Sequence, residues 1–442
     1  MIGGGLAGLA ASLACADAGA RVSLFEARAR LGGATWSARH RGLEIDNGQH
    51  VFLRCCEAYL GFLGRLGVRD RVALQPRLRV PVASPGRALA WIRRGALPAP
   101  AHLARSLLGF HLLPLAARLR AARSLREIRS LDPEDARVDG VALGDWLRER
   151  GESDAAIDGL WDLFVRATLN LSAREASLAL AAKVLQEGFL SRSDAADLGW
   201  SELPLGQLHG EAGLAALRAA RVELCLRTRV DALECPPGRP PALRARGERI
   251  AFDALILATT HEETARLAPP EAGLARAQLL ALGRSPIVNL HLRFDRRVLE
   301  HPVLAGFGTP LQWIFDRTRA AGLETGQYLA VSLSGADAWV GRSSAALRGV
   351  FVPALAELLP RARGARLEDF FATCEPAATF RQAAGTRALR PPARTAAPAL
   401  QLAGAWTATG WPATMEGAVR SGLAAARGAL AWLGRAQGRE AA

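Results

Sequence analysis

Ile2-Gly3-Gly4-Gly5-Leu6-Ala7-Gly8 opens the chain, and Leu9–Ala20 and then Arg21–Glu26 (RVSLFE) follow it. The glycines fall as G-x-G-x-x-G. Leu9 to Ala20 is rich in Ala and Leu and reads as a helix, and Arg21 to Phe25 reads as a strand ending on Glu26. Glycines, helix, strand and acid at these spacings form the dinucleotide-binding fingerprint of a β-α-β unit. Gly3 permits the tight turn, Gly5 lets the backbone approach a pyrophosphate, and Gly8 lets helix and strand pack closely. Leu6 and Ala7 stand in the first helical turn, whose unpaired N–H groups and positive dipole end suit phosphates. Glu26, 18 residues after Gly8, is placed to accept hydrogen bonds from a ribose. Only Met1 and Ile2 precede the glycines, so the first strand is expected to be unusually short or to begin upstream of Met1.

The next stretch separates two kinds of dinucleotide. Ala27-Arg28-Ala29-Arg30-Leu31-Gly32-Gly33 places basic residues just before a Gly-Gly pair. It resembles the second FAD motif of the glutathione-reductase-like flavoproteins. Gly32 and Gly33 let the loop pass close to the cofactor, and Arg28 or Arg30 neutralises phosphate charge. The expected cofactor is therefore FAD, not NAD. Further on, Glu44-Ile45-Asp46-Asn47-Gly48-Gln49-His50-Val51-Phe52 carries a strand into a polar turn and out again. In the amine-oxidase-like flavoproteins that this pattern resembles, such a segment lies beside the isoalloxazine ring. That makes Gly48, Gln49 and His50 candidate flavin contacts. His50 reads equally as a polar group at the flavin and as a histidine satisfied by backbone.

The cofactor-binding part returns later in the chain. Gly199–Leu217 contains a Leu-rich helix, Arg221–Leu233 reads as two short strands with Val230 facing the adenine side, and Ala251–Thr260 reads as a buried strand. Ala399–Ala403 is a strand followed by Gly404, and Trp411-Pro412-Ala413-Thr414-Met415-Glu416 leads into the last helix. The N-terminus of that helix would stabilise the negative charge of a reduced flavin.

Of the 442 residues half are hydrophobic, enough for a large core shared by two domains. The formal charge is +14, and all but one of the 56 basic residues are arginine, Lys183 being the only lysine. No nucleic-acid module accompanies this charge, and attraction to an anionic membrane surface is the better functional reading. None of the six cysteines stands in a C-x-x-C pair or a metal-type spacing, so no metal is expected. No stretch reaches the ~20 apolar residues of a spanning helix, and no leader pattern is present. The expectation is a cytoplasmic protein, with peripheral attachment to the inner face of the cell membrane left open.

The resemblance then narrows. Asp46–His50 and Thr409–Ser421 (TGWPATMEGAVRS) resemble the hydroxysqualene dehydroxylases, also called squalene-associated FAD-dependent desaturases. Leu198–Gly210 (LGWSELPLGQLHG), Ala167–Asn170, Ser285–Asp295 (SPIVNLHLRFD), Gln312–Arg317 (QWIFDR) and Thr379-Phe380-Arg381 agree with it. Two family acids are replaced, by Ala405 after the glycine and by Ala408 before the TGWP run. The resemblance implies an α/β fold, in which a glutathione-reductase-like Rossmann FAD-binding domain (1–76, 198–274 and 392–436) interleaves with a mixed α+β substrate domain (77–197 and 275–391). It also implies removal of the hydroxyl of hydroxysqualene, a C30 isoprenoid, to give squalene by hydride transfer from reduced flavin, a step of squalene and hopanoid biosynthesis. The sequence does not identify the electron donor.

Such a substrate calls for an apolar tunnel with one polar end. Phe164, Leu169, Leu290, Trp313, Phe315 and Trp411 are candidates for its walls, and His50 and Glu416 for a catalytic acid at its end; Asp46 reads as well as a structural group. Leu103–Leu113 is mostly apolar, and Leu115–Leu131 is a helix with Arg118, Arg120, Arg123, Arg126 and Arg129 on one half. This pair suits either docking on anionic lipid or covering the core. Two rival readings of the whole chain stay open: a carotenoid-type desaturase, which removes hydride from an isoprenoid, and a cofactor-free lipid-binding protein on the same fold. An amine oxidase is disfavoured, because Tyr59 and Tyr328 are the only tyrosines and no paired-aromatic cage is evident.

Overall fold

The computed structural model describes residues 1–440. A parallel sheet is built from very short strands. Its order is Glu223–Cys225, Ser23–Phe25, Ile2, Leu255–Leu257 and Leu400–Leu402, with Ile2 alone bridging Phe25 on one side and Leu257 on the other. The run Leu255-Ile256-Leu257 is wholly buried, as a strand covered on both faces requires. Alternation divides the neighbours. Leu24 and Ile256 pack with the helix Leu6–Asp17 and the C-terminal helix Met415–Glu440. Phe25, Leu255 and Leu257 pack instead with a three-stranded antiparallel meander, Val230–Glu234, Ala242–Ala245 and Glu248–Ala251. The strand expected over 251–260 is thus shortened, because Thr260 caps a new helix, His261–Leu267, by accepting from the Glu263 N–H.

A second sheet has seven strands in the order Leu367–Thr379, Ser285–Phe294, Gln327–Ser334, Trp313–Asp316, Val303–Gly306, Arg79–Ala83 and Ala90–Arg93. Its two faces follow from register. Leu290, Val331, Ile314 and Leu304 lie side by side and pack under the helix Ser344–Leu358. Asn289, Ser332, Trp313 and Ala305 form the adjacent row, and His291, Ala330, Phe315 and Val303 the next, all on the opposite face. Toward the Val303 edge this face rests on a helical block that includes Leu115–Ile128, Asp162–Leu169 and Leu178–Leu185. Toward the Ser285–Phe294 end it meets the loop at 46–50. Among the described residues, no helix is long and apolar enough to cross a membrane.

Candidate active site

Three segments of the nucleotide-binding half converge, and glycine at each approach is what permits it. A Cβ on Gly8 would overlap the Gly3 carbonyl oxygen, and one on Gly33, at φ +59°, would lie 2.7 Å from the Gly5 Cα. Gly5 precedes the helix Leu6–Asp17 with no side chain capping its first turn, so those amides keep their donors for an incoming acceptor. The Glu26 carboxylate accepts from the Gly4 N–H at 2.7 Å and the Arg28 N–H at 2.8 Å, which leaves lone pairs for sugar hydroxyls. Arg30 bonds the Gly33 carbonyl at 3.1 Å and lies 4.6 Å over the Trp36 ring, so it clamps the Gly32-Gly33 loop; Ala27 and Arg28 are exposed at its rim. An uncapped helix end, a cradle that side chains would fill and an acid with spare acceptors fit the phosphates and ribose of FAD.

The tail closes against this cradle. The C-terminal helix crosses the first helix so closely that a Cβ on Gly422 would overlap the Ala7 carbonyl oxygen. Gly404 donates to the Ser421 hydroxyl at 2.8 Å, and the Trp406 indole donates to the Thr259 carbonyl at 2.8 Å. Buried Arg390 fans its guanidinium over the carbonyls of Ala405, Trp406, Thr407 and Trp411. No carboxylate pairs with it among the described residues, and burial lowers its pKa to about 10. It gives the 404–411 loop a fixed shape. Sequence reasoning missed Arg390, since a fan of carbonyls leaves no mark in spacing.

The polar turn at 46–50 is the third wall. Asp46 is buried and fully engaged: it accepts from the Ser37 hydroxyl at 2.7 Å and the Leu205 N–H at 2.8 Å and pairs with Arg317 at 3.0 Å. Asn289 donates to the Asn47 carbonyl at 2.9 Å and packs against Gly48. His291 beside it lies 2.6 Å from the Tyr328 hydroxyl and 2.9 Å from that of Thr373. A chamber of about 10 Å³ lies between this turn and the sheet. Gln49 and His50 are half-buried next to it. The His50 Nδ1 lies 3.1 Å from the Gly48 carbonyl, which only accepts, so Nδ1 carries the proton. Burial lowers the His50 pKa, with the Gly48 bond opposing. At neutral pH its Nε2 therefore accepts and does not donate.

Several expectations change. Glu416 is buried, accepts from the Ala58 and Tyr59 N–H groups at 3.2 and 2.7 Å and pairs with Arg420 at 2.6 Å. It caps the helix Glu57–Arg65, and its oxygens are spent there, so it is no catalytic acid. Leu290 lies on the sheet face turned away from the 46–50 loop, and Leu169 is sealed in the helical core, so neither lines a site beside that loop. The Ala413 N–H is given to Gln382 at 2.8 Å, and Thr414 caps the last helix, which begins at Met415, by accepting from the Gly417 N–H at 3.1 Å. The carbonyl of buried Val230 is already held by Arg266 at 3.0 Å. Trp313 and Phe315 do share the face of Asn289 and His291. Phe164 is half-buried with its ring 4.8 Å from Phe189, and Trp411 has Arg420 4.7 Å and Lys183 5.7 Å from its ring. Asn289 and His291 were also missed, although their alternation with Val288, Leu290 and Leu292 marks one polar patch on an apolar strand.

Comparison with known proteins agrees with this geometry. Residues 6–430 match the family described as Flavin containing amine oxidoreductase. Hydroxysqualene dehydroxylase from Zymomonas mobilis is 27% identical over 97% of this chain and 98% of that protein. The 15-cis-phytoene desaturase of an Oncidium hybrid cultivar is 24% identical over 95% of this chain and 75% of that protein. Among solved structures, cyclohexylamine oxidase from Brevibacterium oxydans superposes with a TM-score of 0.71 at 20% identity, covering 98% of each chain, a likeness of fold.

Proposed function

Because this chain belongs to the flavin-containing amine oxidoreductase family and is an FAD-dependent oxidoreductase, we propose that it acts on hydroxysqualene and gives squalene. The observation that carries this reading is the end-to-end likeness to hydroxysqualene dehydroxylase, spanning 98% of that protein against 75% of the phytoene desaturase. The reaction balances as an allylic alcohol, a hydride and a proton giving the corresponding hydrocarbon and water: the C–O bond breaks, a C–H bond forms at the allylic cation, and the double bonds are conserved in number. Bound FAD, in its reduced form, supplies the hydride. The chain's own residues bind, orient and exclude water. Gly48, Gln49 and His50 form the polar end, where the neutral His50 Nε2 accepts a hydrogen bond from the substrate hydroxyl and orients the C–O bond. His50 is thus a positioning residue, and the proton to the leaving oxygen comes from another donor. Trp313, Phe315, Phe164 and Trp411 supply apolar surface for the isoprenoid.

The test is anaerobic incubation of the reduced enzyme with hydroxysqualene and analysis of the product. Squalene is expected, and His50→Ala should lower its yield ten- to a hundredfold. No squalene under conditions where a control dehydroxylase makes it overturns the reading. Added conjugation from phytoene under oxidising conditions favours a desaturase instead.

A further inference from the structure

The edge of the seven-stranded sheet farthest from the 46–50 loop has a surface that this chemistry does not use. A cleft of about 640 Å³ opens between the strands Arg79–Ala83 and Ala90–Arg93 and the helix Ala104–Leu108. Arg77, Arg79, Arg93, Arg94 and Arg105 line it, and no acid does. Arg94 is neutralised by Asp197 at 2.6 Å. Arg77, Arg79, Arg93 and Arg105 are exposed and pair with no carboxylate among the described residues. Arg79 instead lies 4.6 Å over the Trp91 ring, an amphipathic side chain suited to a lipid interface.

Apolar residues crowd the same edge. Among the described residues eight large hydrophobics are exposed, and five of them, Leu89, Leu97, Leu108, Leu115 and Leu119, fall in this one stretch. Leu97 follows Ala96, a residue of the cleft, and Leu108 lies one turn beyond Arg105. Leu115 and Leu119 are one turn apart on the helix Leu115–Ile128, whose Arg118 bonds the Leu108 carbonyl and so fixes the two helices together. Arg87 bonds the carbonyls of His111 and Leu112, which ties the loop bearing Leu89 to the same block.

We infer that this edge docks on an anionic lipid bilayer, with headgroup phosphates in the arginine cleft and Leu97, Leu108, Leu115 and Leu119 in the acyl boundary. Uncompensated arginines demand an anion, and the bordering leucines demand an apolar phase; the surface of an anionic bilayer offers both side by side. The inference goes beyond the proposed reaction and does not depend on it.

The experiment is sedimentation of the FAD-loaded protein with phosphatidylcholine vesicles, with and without phosphatidylglycerol. Wild type should partition at least tenfold more onto the anionic vesicles, and rising salt should release it. Each basic residue at such a surface contributes roughly fivefold, so R77Q/R79Q/R93Q/R105Q should lose on the order of several hundredfold. L97S/L108S/L115S/L119S should lose binding at high salt first; this second variant keeps the test valid if the first fails to fold. Equal partition onto neutral vesicles, equal binding by a folded variant, or inorganic diphosphate binding without any vesicle binding overturns the inference. Because the readout is sedimentation, its failure is separate from a failure to make squalene.

Discussion

Asp46 and Arg317 stand 271 residues apart and draw three segments to one point. Asp46 ends the hairpin strand Leu43–Asp46, while Arg317 also bonds the carbonyls of Ser201 and Leu203 beyond the strand Leu198–Ser201. Both side chains are nearly dry, so each charge is tolerable only with the other present. Removing one partner of a buried pair costs about 3–5 kcal/mol, because it strands the other charge. Arg317→Met should therefore cost about that much in urea unfolding. Adding Asp46→Asn, which retains an acceptor for Ser37 and Leu205, should return part of the loss. A double variant whose cost equals the sum of the single costs would show that the pair is not coupled. The sequence places Asp46 in a polar turn but cannot name its partner, since an ion pair across hundreds of residues has no local pattern. Glu416 shows the same limit from the other side. Its neighbourhood in sequence suggests a flavin-side acid, and only the packing of the helix Glu57–Arg65 against it reveals a cap.

Elements were legible where the pattern is local. Gly3 to Glu26 holds turn, helix, strand and acid within one unit, and those elements form in that order, with the helix three residues earlier than read, at Leu6–Asp17, and the strand shortened to Ser23–Phe25. Which strands flank it was less legible, because short buried parallel strands such as Leu255–Leu257 and Leu400–Leu402 carry only two or three apolar residues each, too few to show a period. Leu290 illustrates the cost: its apolar side chain made it a candidate pocket wall, but the face on which it is buried was decided by register with Val331 and Ile314. The crossing of the first and last helices is where distant elements matter most. Gly422 admits the Ala7 backbone, and backbone cannot move aside as a flexible side chain can. Gly422→Ala should separate the helices, lowering the thermal midpoint by several degrees for a loss of about 1–3 kcal/mol, and should reduce the FAD retained on purification. Gly61, in the middle of the exposed side of the helix Glu57–Arg65, has open space around its Cβ position. Gly61→Ala should raise stability by about 0.5–1 kcal/mol through helix propensity alone. Equal effects from the two substitutions would refute the close crossing.

At the scale of the whole molecule, two buried histidines, His209 on the helical turn Gly206–Glu211 and His291 on the strand Ser285–Phe294, make the fold sensitive to acid. His209 and His291 are almost wholly buried. Burial, with His50 as a lesser neighbour of His209 and His40 of His291, lowers each imidazole to about 3. His209 lies 2.8 Å from the Tyr59 hydroxyl, and His291 sits between the hydroxyls of Tyr328 and Thr373, so each ring is held by hydroxyls and not by a carboxylate. In the unfolded chain each would titrate near 6.5. With the folded value depressed, the unfolded state takes up protons that the folded state refuses. The stabilising contribution is complete above the unfolded pKa and is lost as pH falls toward the folded one. Between pH 7 and pH 5 the loss is about 2 kcal/mol for each histidine. Urea unfolding should show this decline. His291→Gln, which can still bond Tyr328 and Thr373, should remove about 2 kcal/mol of the decline, because glutamine does not titrate. An unchanged slope in that variant would mean that His291 is charged or solvated in the folded protein. The same neutrality governs the polar end of the site, for His50 keeps its accepting Nε2 only while burial holds it deprotonated. Turnover should therefore stay level from neutral pH down through the ordinary histidine range and fall below it, whereas a protonated His50 acting as the acid would raise the rate along that same descent.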